Sequence, residues 1–281
     1  MLVNLQEILT LASEKEIAIG AYNTPNLESL MAVLQTAEKN DWPVIVMHAQ
    51  VHENIMPLSV MGPIMVNIAR ISSVPVCVHC DHGTCLDYLR QALDMGFTSI
   101  MYDGSALSYE DNVNNTRRAV WMARQYSAST EAEIGVVGGY EAGSEGDGLV
   151  NDGVYTDPVL AQRFVGDTGI DALACSFGTV HGFYSKAPKL DFNRIKEIKE
   201  RTQIPLVMHG GSGVSREDYL ESIRCGIRKI NYYSYMSLAG VRGTQNLLQA
   251  GEVMFFHDIA LAALTSMAED VDKSMQVFYK G

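Results

Sequence analysis

The chain has 281 residues, of which 47% are hydrophobic and 19% charged, which suits a soluble globular protein able to bury a large core. Its net charge of −12 argues against a nucleic-acid or anionic-membrane surface, where a basic footprint is required. An anionic substrate therefore has to be drawn in by a local device, because the global field repels it.

The first segment, "MLVNLQEILTLASEKEIAIG", has apolar residues at helical spacing broken by Glu7, Glu14, Lys15 and Glu16. It has neither a basic start nor an unbroken apolar core, so no secretory signal is expected. No run reaches the roughly 20 apolar residues of a membrane span. The five cysteines are odd in number and sit mostly in apolar runs, as free thiols do in a reducing cytoplasm. A cytoplasmic location is the expectation.

Eight short runs rich in β-branched residues then recur. They are "EIAIGAYN" (16–23), "PVIVMHA" (43–49), "VPVCVHCDH" (74–82), "SIMYDG" (99–104), "STEAEIG" (129–135), "ALACSFG" (172–178), "PLVMHGG" (205–211) and "IRKINYY" (227–233). Segments with helical apolar spacing separate most of them, such as 26–41 and 85–96. Strands alternating with helices predict parallel βαβ units, and eight repeats predict closure into a TIM (β/α)8 barrel. An open doubly wound sheet is the alternative, but its G-x-G-x-x-G fingerprint after the first strand is missing. No linker or change of composition divides the chain, so residues 1–281 read as one catalytic domain. The long Gly- and Asp-rich connection at 136–158 reads as a lid, with a passive solvated insertion as the alternative, and a helix begins near Asp157.

Catalytic groups of such barrels sit at the C-terminal ends of the strands. Here His82 ends the third strand, His181 follows the sixth and His209 ends the seventh, each with a glycine next in sequence. Three imidazoles meeting at one mouth predict a tri-histidine metal site with open coordination positions. Along the third strand, Cys77, His79 and Asp81 share one face while Val76, Val78 and Cys80 share the other. Cys77 and Cys80 thus point apart, which argues against a C-x-x-C site. His82 has the wrong parity to join Asp81 unless the strand bends, which Gly83 makes easy. Asp103 and Glu133, also at strand ends, are candidates to orient a ligating histidine or hold a second cation, with a purely structural role bonding to neighbouring backbone as the equal alternative. Glu141 falls in the connection at 136–158 beside "GGY", where the sequence alone reads it as solvated. "HGGSGVSRED" exposes backbone N–H groups before a helix starting near Ser215, where barrels often bind phosphate.

"VHCDHG", "EAEIGVVGGYEAG", "FGTVHG" and "LVMHGGSG", in this order and spacing, resemble the class II metal-dependent aldolases of the ketose bisphosphate type. The similarity runs from "GAYN" to "KIN", and the short length is closest to the tagatose bisphosphate branch. The resemblance implies zinc on His82, His181 and His209, with Asp81 handling the proton on the hydroxyl of the bond made or broken. Glu141 matches the loop acid that takes a proton from the donor, usually dihydroxyacetone phosphate. Asp103 and Glu133 match family carboxylates near the metal. Asn23, Gly182, Gly210, Gly211, Ser212, Asn231 and Ser234 form the implied substrate- and phosphate-binding set. A monovalent cation (Na+ or K+), a phosphorylated sugar as substrate and a homodimer or homotetramer are implied as well. Zinc would polarise the ketose carbonyl and stabilise the enediolate in place of a Schiff-base lysine.

Two stretches depart from that family. The segment after Asn231 reads "NYYSY", with Tyr232, Tyr233 and Tyr235 around Ser234, where small or polar residues ending in threonine are usual. The second strand reads "MHAQVH", where Met47 and Ala49 replace polar contacts and His48 and His52 are additions. The metal chemistry reads as intact and the substrate wall as rebuilt. The alternatives are an aldolase-like barrel acting on a different, even unphosphorylated, substrate, or a non-catalytic regulatory subunit. A metal-dependent hydrolase is disfavoured, because "AIGAYN" on the first strand lacks the H-x-H pair such sites often use.

Overall fold

A computed structural model describes residues 1–135, 137–139, 155–251 and 253–280. All eight expected strands form: β1 (Ile19–Asn23), β2 (Val44–Ala49), β3 (Val76–Gly83), β4 (Ser99–Tyr102), β5 (Ser129–Ile134), β7 (Ala172–Cys175), β9 (Leu206–Met208) and β10 (Ile227–Tyr232). They pair in parallel and in chain order, and β10 closes the circuit on β1 through Ile19–Lys229 and Ala21–Asn231. Two short strands, β6 (Gly138–Gly139) and β8 (Val180–His181), make a separate parallel ribbon. The sixth barrel strand therefore stops at Cys175, and His181 is carried by that ribbon.

Between the strands run α2 (Leu27–Asn40), α3 (Leu58–Ile71), α4 (Leu86–Asp94), α5 (Tyr109–Gln125), α6 (Pro158–Thr168), α7 (Phe192–Thr202) and α8 (Arg216–Cys225). Helices α9 (Ser234–Ala250) and α10 (Phe256–Lys280) follow β10. The helix starts obey capping chemistry. Asp157 caps α6 by accepting from Leu160 N–H, and Ser215 caps α8 by accepting from Asp218 N–H. The first helix, α1 (Leu5–Glu14), buries Leu5, Ile8, Leu9 and Ala12 at one-face spacing. It touches β1, β3, β5 and β10, strands that are not all neighbours, which is possible only across one end of the barrel. Gln6 N–H donates to Ser129 Oγ at the start of β5, so that end is the N-terminal one. The opposite mouth is left for chemistry.

Register fixes which side chains fill the barrel. His79 pairs with Met47 and Ser99, Glu131 with Met101 and Ala172, and Lys229 with Ile19. His79, Glu131 and Lys229 are fully buried, so the barrel interior below the mouth is a polar network as well as an aliphatic plug. Small neighbours such as Ala21, Ala172 and Ala174 leave the volume for those long side chains. Among the described residues no helix is long and apolar enough to cross a membrane.

Candidate active site

The bend expected at the end of β3 is present. Cys80 pairs with Ile100 and Gly83 with Tyr102, so three steps on β3 face two on β4, the signature of a bulge. His82 takes the left-handed conformation there, with φ 47°. Gly83 is needed beside it, because a Cβ at that position would lie 2.3 Å from Leu89 Cδ2 of α4. The kink lets His82 join Asp81 at the mouth despite its parity. Cys77 and Cys80 do point apart, into the barrel beside Thr98 and towards Tyr88. Burial pushes the Cys77 thiol up to about 12, and all five cysteines are free.

His82, His181 and His209 converge. Each offers a nitrogen within 4.8 Å of the others, and the ring centroids are 5.1 Å (82–181), 4.6 Å (82–209) and 5.7 Å (181–209) apart. Two of the rings are oriented from behind by carboxylates. His82 Nδ1 lies 2.8 Å from Asp103 Oδ2, and Asp103 in turn accepts from Ser105 N–H and Oγ–H. His209 Nε2 lies 2.9 Å from Glu131 Oε1, with Glu133 Oε2 3.3 Å from Nδ1. Such carboxylate–imidazole pairs select the tautomer and raise ligand basicity, which fits a divalent zinc-like ion. Burial opposes charge on His209, but Glu131 and Glu133 outweigh it and raise its pKa to about 9. Burial and the neighbouring imidazoles keep His181 well below the usual histidine range.

Asp81 is fully buried beside this cluster. Burial alone would protonate it, yet His82, Lys229, His209 and His79 hold it far below the usual carboxylate range. Its oxygens accept from Asn23 Nδ2 (3.0 Å) and Asn231 Nδ2 (3.3 Å), at the ends of β1 and β10. Both asparagines assigned to substrate thus also aim the carboxylate.

The glycines form a cradle. Gly182 (φ 95°) and Gly210 (φ 62°) are left-handed, and a Cβ on Gly210 would meet Val180 O at 2.3 Å. Ser212 Oγ accepts from Tyr233 N–H at 2.9 Å. Gly182, Gly210, Ser212, Asn231 and Ser234 line one small cavity of about 20 Å³ next to His181, while Gly211 packs behind it against Asn231 O. The helix terminus at this cavity differs from the one the sequence suggested. Ser215 already caps α8, whereas α9 begins at Ser234 beside the cavity with no side-chain cap. The N-terminal end of α9, which has no side-chain cap, provides the positive end that a −12 chain otherwise lacks. Glu141 and most of the glycine-rich connection lie outside the described residues.

The departing segments resolve into separate roles. Tyr232 borders the small cavity, while its hydroxyl reaches away from it to donate to Asp270 of α10. Tyr235 packs at a tilt against Phe183, and Tyr233 divides the small cavity from a larger one of about 410 Å³ between α2, α9 and α10. His48 faces the helix layer, contacting Met56 O (2.9 Å) and Tyr88 Oη (3.2 Å). Sequence reasoning missed Glu131 and Lys229. Their signal was available, since both are charged residues at inward-facing positions of strands.

Comparisons with known proteins agree with this geometry. The profile of the family described as "Fructose-bisphosphate aldolase class-II" matches residues 3–281. A fructose-bisphosphate aldolase of Staphylococcus aureus is 37% identical over 252 residues, covering 88% of this chain and 86% of that one. The 6-phospho-5-dehydro-2-deoxy-D-gluconate aldolase of Halalkalibacterium halodurans is also 37% identical, over 281 residues, covering 99% and 96%. Among solved structures, the YdjI aldolase of Escherichia coli K12 superposes with a TM-score of 0.88 at 29% identity, covering 99% of this chain and 97% of its own.

Proposed function

The chain belongs to the class II fructose-bisphosphate aldolase family and is an aldehyde-lyase, and from that premise we propose that it cleaves a ketose phosphate reversibly into dihydroxyacetone phosphate and an aldehyde, with zinc held by His82, His181 and His209. The observation that carries this is the meeting of three imidazoles from β3, β8 and the end of β9, two of them backed by carboxylates. A divalent ion there supplies Lewis-acid polarisation of the ketose carbonyl.

The remaining steps fall to the chain's own residues. Asp81, kept ionised and aimed by Asn23 and Asn231, takes the proton from the hydroxyl whose carbon–carbon bond breaks, and returns it in synthesis. Glu141 exchanges the proton on the donor carbon. Gly182, Gly210, Gly211, Ser212 and Ser234 receive the donor phosphate at the uncapped start of α9. A substrate without phosphate at this position is the second reading, because Tyr232 and Tyr233 of "NYYSY" border this cavity. The two relatives at 37% identity carry different substrate names, so identity does not choose the sugar.

The same reading includes a monovalent cation beside the phosphate, one catalytic domain, action in the cytoplasm and a homodimer or homotetramer. Exposed Val241, Leu248, Phe255, Phe256 and Leu261 on α9, α10 and their connection support assembly. The decisive experiment measures bound zinc and ketose cleavage in wild type and His209→Ala, against phosphorylated and unphosphorylated ketoses. Loss of both metal and turnover is expected, and full turnover without metal would overturn the proposal.

A further inference from the structure

His52 closes a short 3-10 turn, Gln50–His52, directly after β2. Its side chain is fully buried, and neither Nδ1 nor Nε2 has a hydrogen-bond partner. Buried polar atoms are bonded in the great majority of cases, so two unfilled nitrogens on one ring point to a group that arrives from outside the protein. A loose loop does not explain them, because the neighbours of His52 are pinned. Gln50 Oε1 accepts from Thr84 N–H (2.9 Å), Glu53 Oε2 accepts from Tyr88 Oη–H (2.9 Å) and Leu58 N–H (3.0 Å), and Met56 O contacts His48 Nε2 (2.9 Å).

The ring also lies behind a wall of the site. Its centroid is 4.9 Å from that of Tyr233, the side chain that bounds the small cavity beside His181. Tyr233 follows β10 and His52 follows β2, so the pair reaches across the end of β1, where Asn23 holds Asp81. Asp81 is close enough for its charge to be felt by the imidazole. Burial, with His48 adding to it, keeps the His52 pKa at about 4 against the Asp81 charge, so the ring is neutral at neutral pH. A neutral imidazole offers one donor and one acceptor. That pair suits an alcohol, and it offers no net charge to a phosphate or carboxylate.

We propose that His52 is a specificity-determining residue that hydrogen-bonds the hydroxyl on the carbon next to the aldehyde in the acceptor half of the substrate, making the protein selective for α-hydroxy aldehydes. The inference rests on the aldolase reading. In that reading Asp81 meets the oxygen of the acceptor carbonyl, and the substituent one carbon further on falls towards the His52–Tyr233 side.

The test compares lactaldehyde with propionaldehyde, which have equal carbon skeletons and differ by one hydroxyl, each condensed with dihydroxyacetone phosphate by the zinc-loaded enzyme. The ratio of their kcat/KM values is measured for wild type, His52→Phe and His52→Gln, so that the intrinsic reactivity of each aldehyde cancels between variants. His52→Phe is expected to lower the ratio by about 10-fold or more, and His52→Gln, which keeps a donor and an acceptor, to retain most of it. Proton exchange into dihydroxyacetone phosphate alone is followed in parallel and is expected to continue in all three. Exchange with an unchanged ratio in His52→Phe overturns the role of His52 and leaves the aldolase reading standing. An equal fall in both variants assigns the residue to packing and also overturns it. Absence of exchange in wild type overturns the aldolase reading, and this inference with it.

Discussion

Lys229 Nζ lies 2.8 Å from Glu131 Oε2, and neither side chain is exposed to solvent. The other Glu131 oxygen holds His209. Burial would raise the Glu131 pKa, but Lys229 and then His209 bring it down to about 2. Removing the cation alone leaves a buried carboxylate uncompensated, which typically costs about 3–5 kcal/mol. Lys229→Met should therefore lower the free energy of urea unfolding by roughly that amount. The double change Lys229→Met with Glu131→Gln should recover part of the loss. A single variant within about 1 kcal/mol of wild type would show that the pair is not what stabilises the interior.

Asp103 is the partner that fixes His82 Nδ1. Its replacement by asparagine keeps the volume and removes the charge. Outer carboxylates of this kind are worth about 10–100-fold in metal affinity. Competition against a zinc chelator should show Asp103→Asn weaker within that range, with turnover restored when zinc is in excess. Unaltered affinity would limit Asp103 to its bonds with Ser105.

Glu141 is assigned to the donor proton. Glu141→Ala should abolish proton exchange into dihydroxyacetone phosphate, followed by NMR, while zinc content stays at the wild-type level. Equal exchange in both proteins would remove Glu141 from the reaction.

His52 also links folding to pH. Its folded pKa of about 4 lies below the ordinary histidine value of 6.5, so the unfolded chain binds the extra proton between those values. Stability contributed by the neutral ring is thus complete above pH 6.5 and is lost as pH falls towards 4. One proton corresponds to about 1.4 kcal/mol per pH unit within that window. Urea unfolding of metal-free wild type and His52→Phe at pH 7 and pH 5 should show the wild type losing more stability on acidification. Parallel losses would mean that the ring is already protonated, or exposed, in the folded protein.

How much of this was legible in the sequence depends on the range of the interaction involved. Alternation of apolar residues placed all eight barrel strands within a few residues, because parity and turn residues are local properties. The three converging histidines were legible for the same reason, each marking a strand end next to glycine. The bulge that brings His82 round was foreseeable from Gly83, but its left-handed backbone depends on α4 packing against that glycine. The contact between His52 and Tyr233 was not legible. The two residues come from segments that had each been singled out as unusual, and only the closing of β10 on β1 brings them together. The same closure put the uncapped helix start at Ser234, while Ser215, the more conspicuous candidate, is used to cap its own helix. Tyr232 reads like its neighbours but sends its hydroxyl outward by strand parity, which was the one part of "NYYSY" that alternation could have resolved.

The kink at His82 carries a final consequence. A straight ribbon can show every second residue to one side, so a proton carrier and an electron-pair donor placed consecutively would normally be sent to opposite compartments. One extra residue wound into β3 relaxes that constraint and brings Asp81 and His82 to one mouth from adjacent positions. Deleting a single residue there would leave the barrel wall able to form and would still take the imidazole out of reach of its two partners. The distance between a working lyase and an inert barrel is, at this point in the chain, one peptide unit.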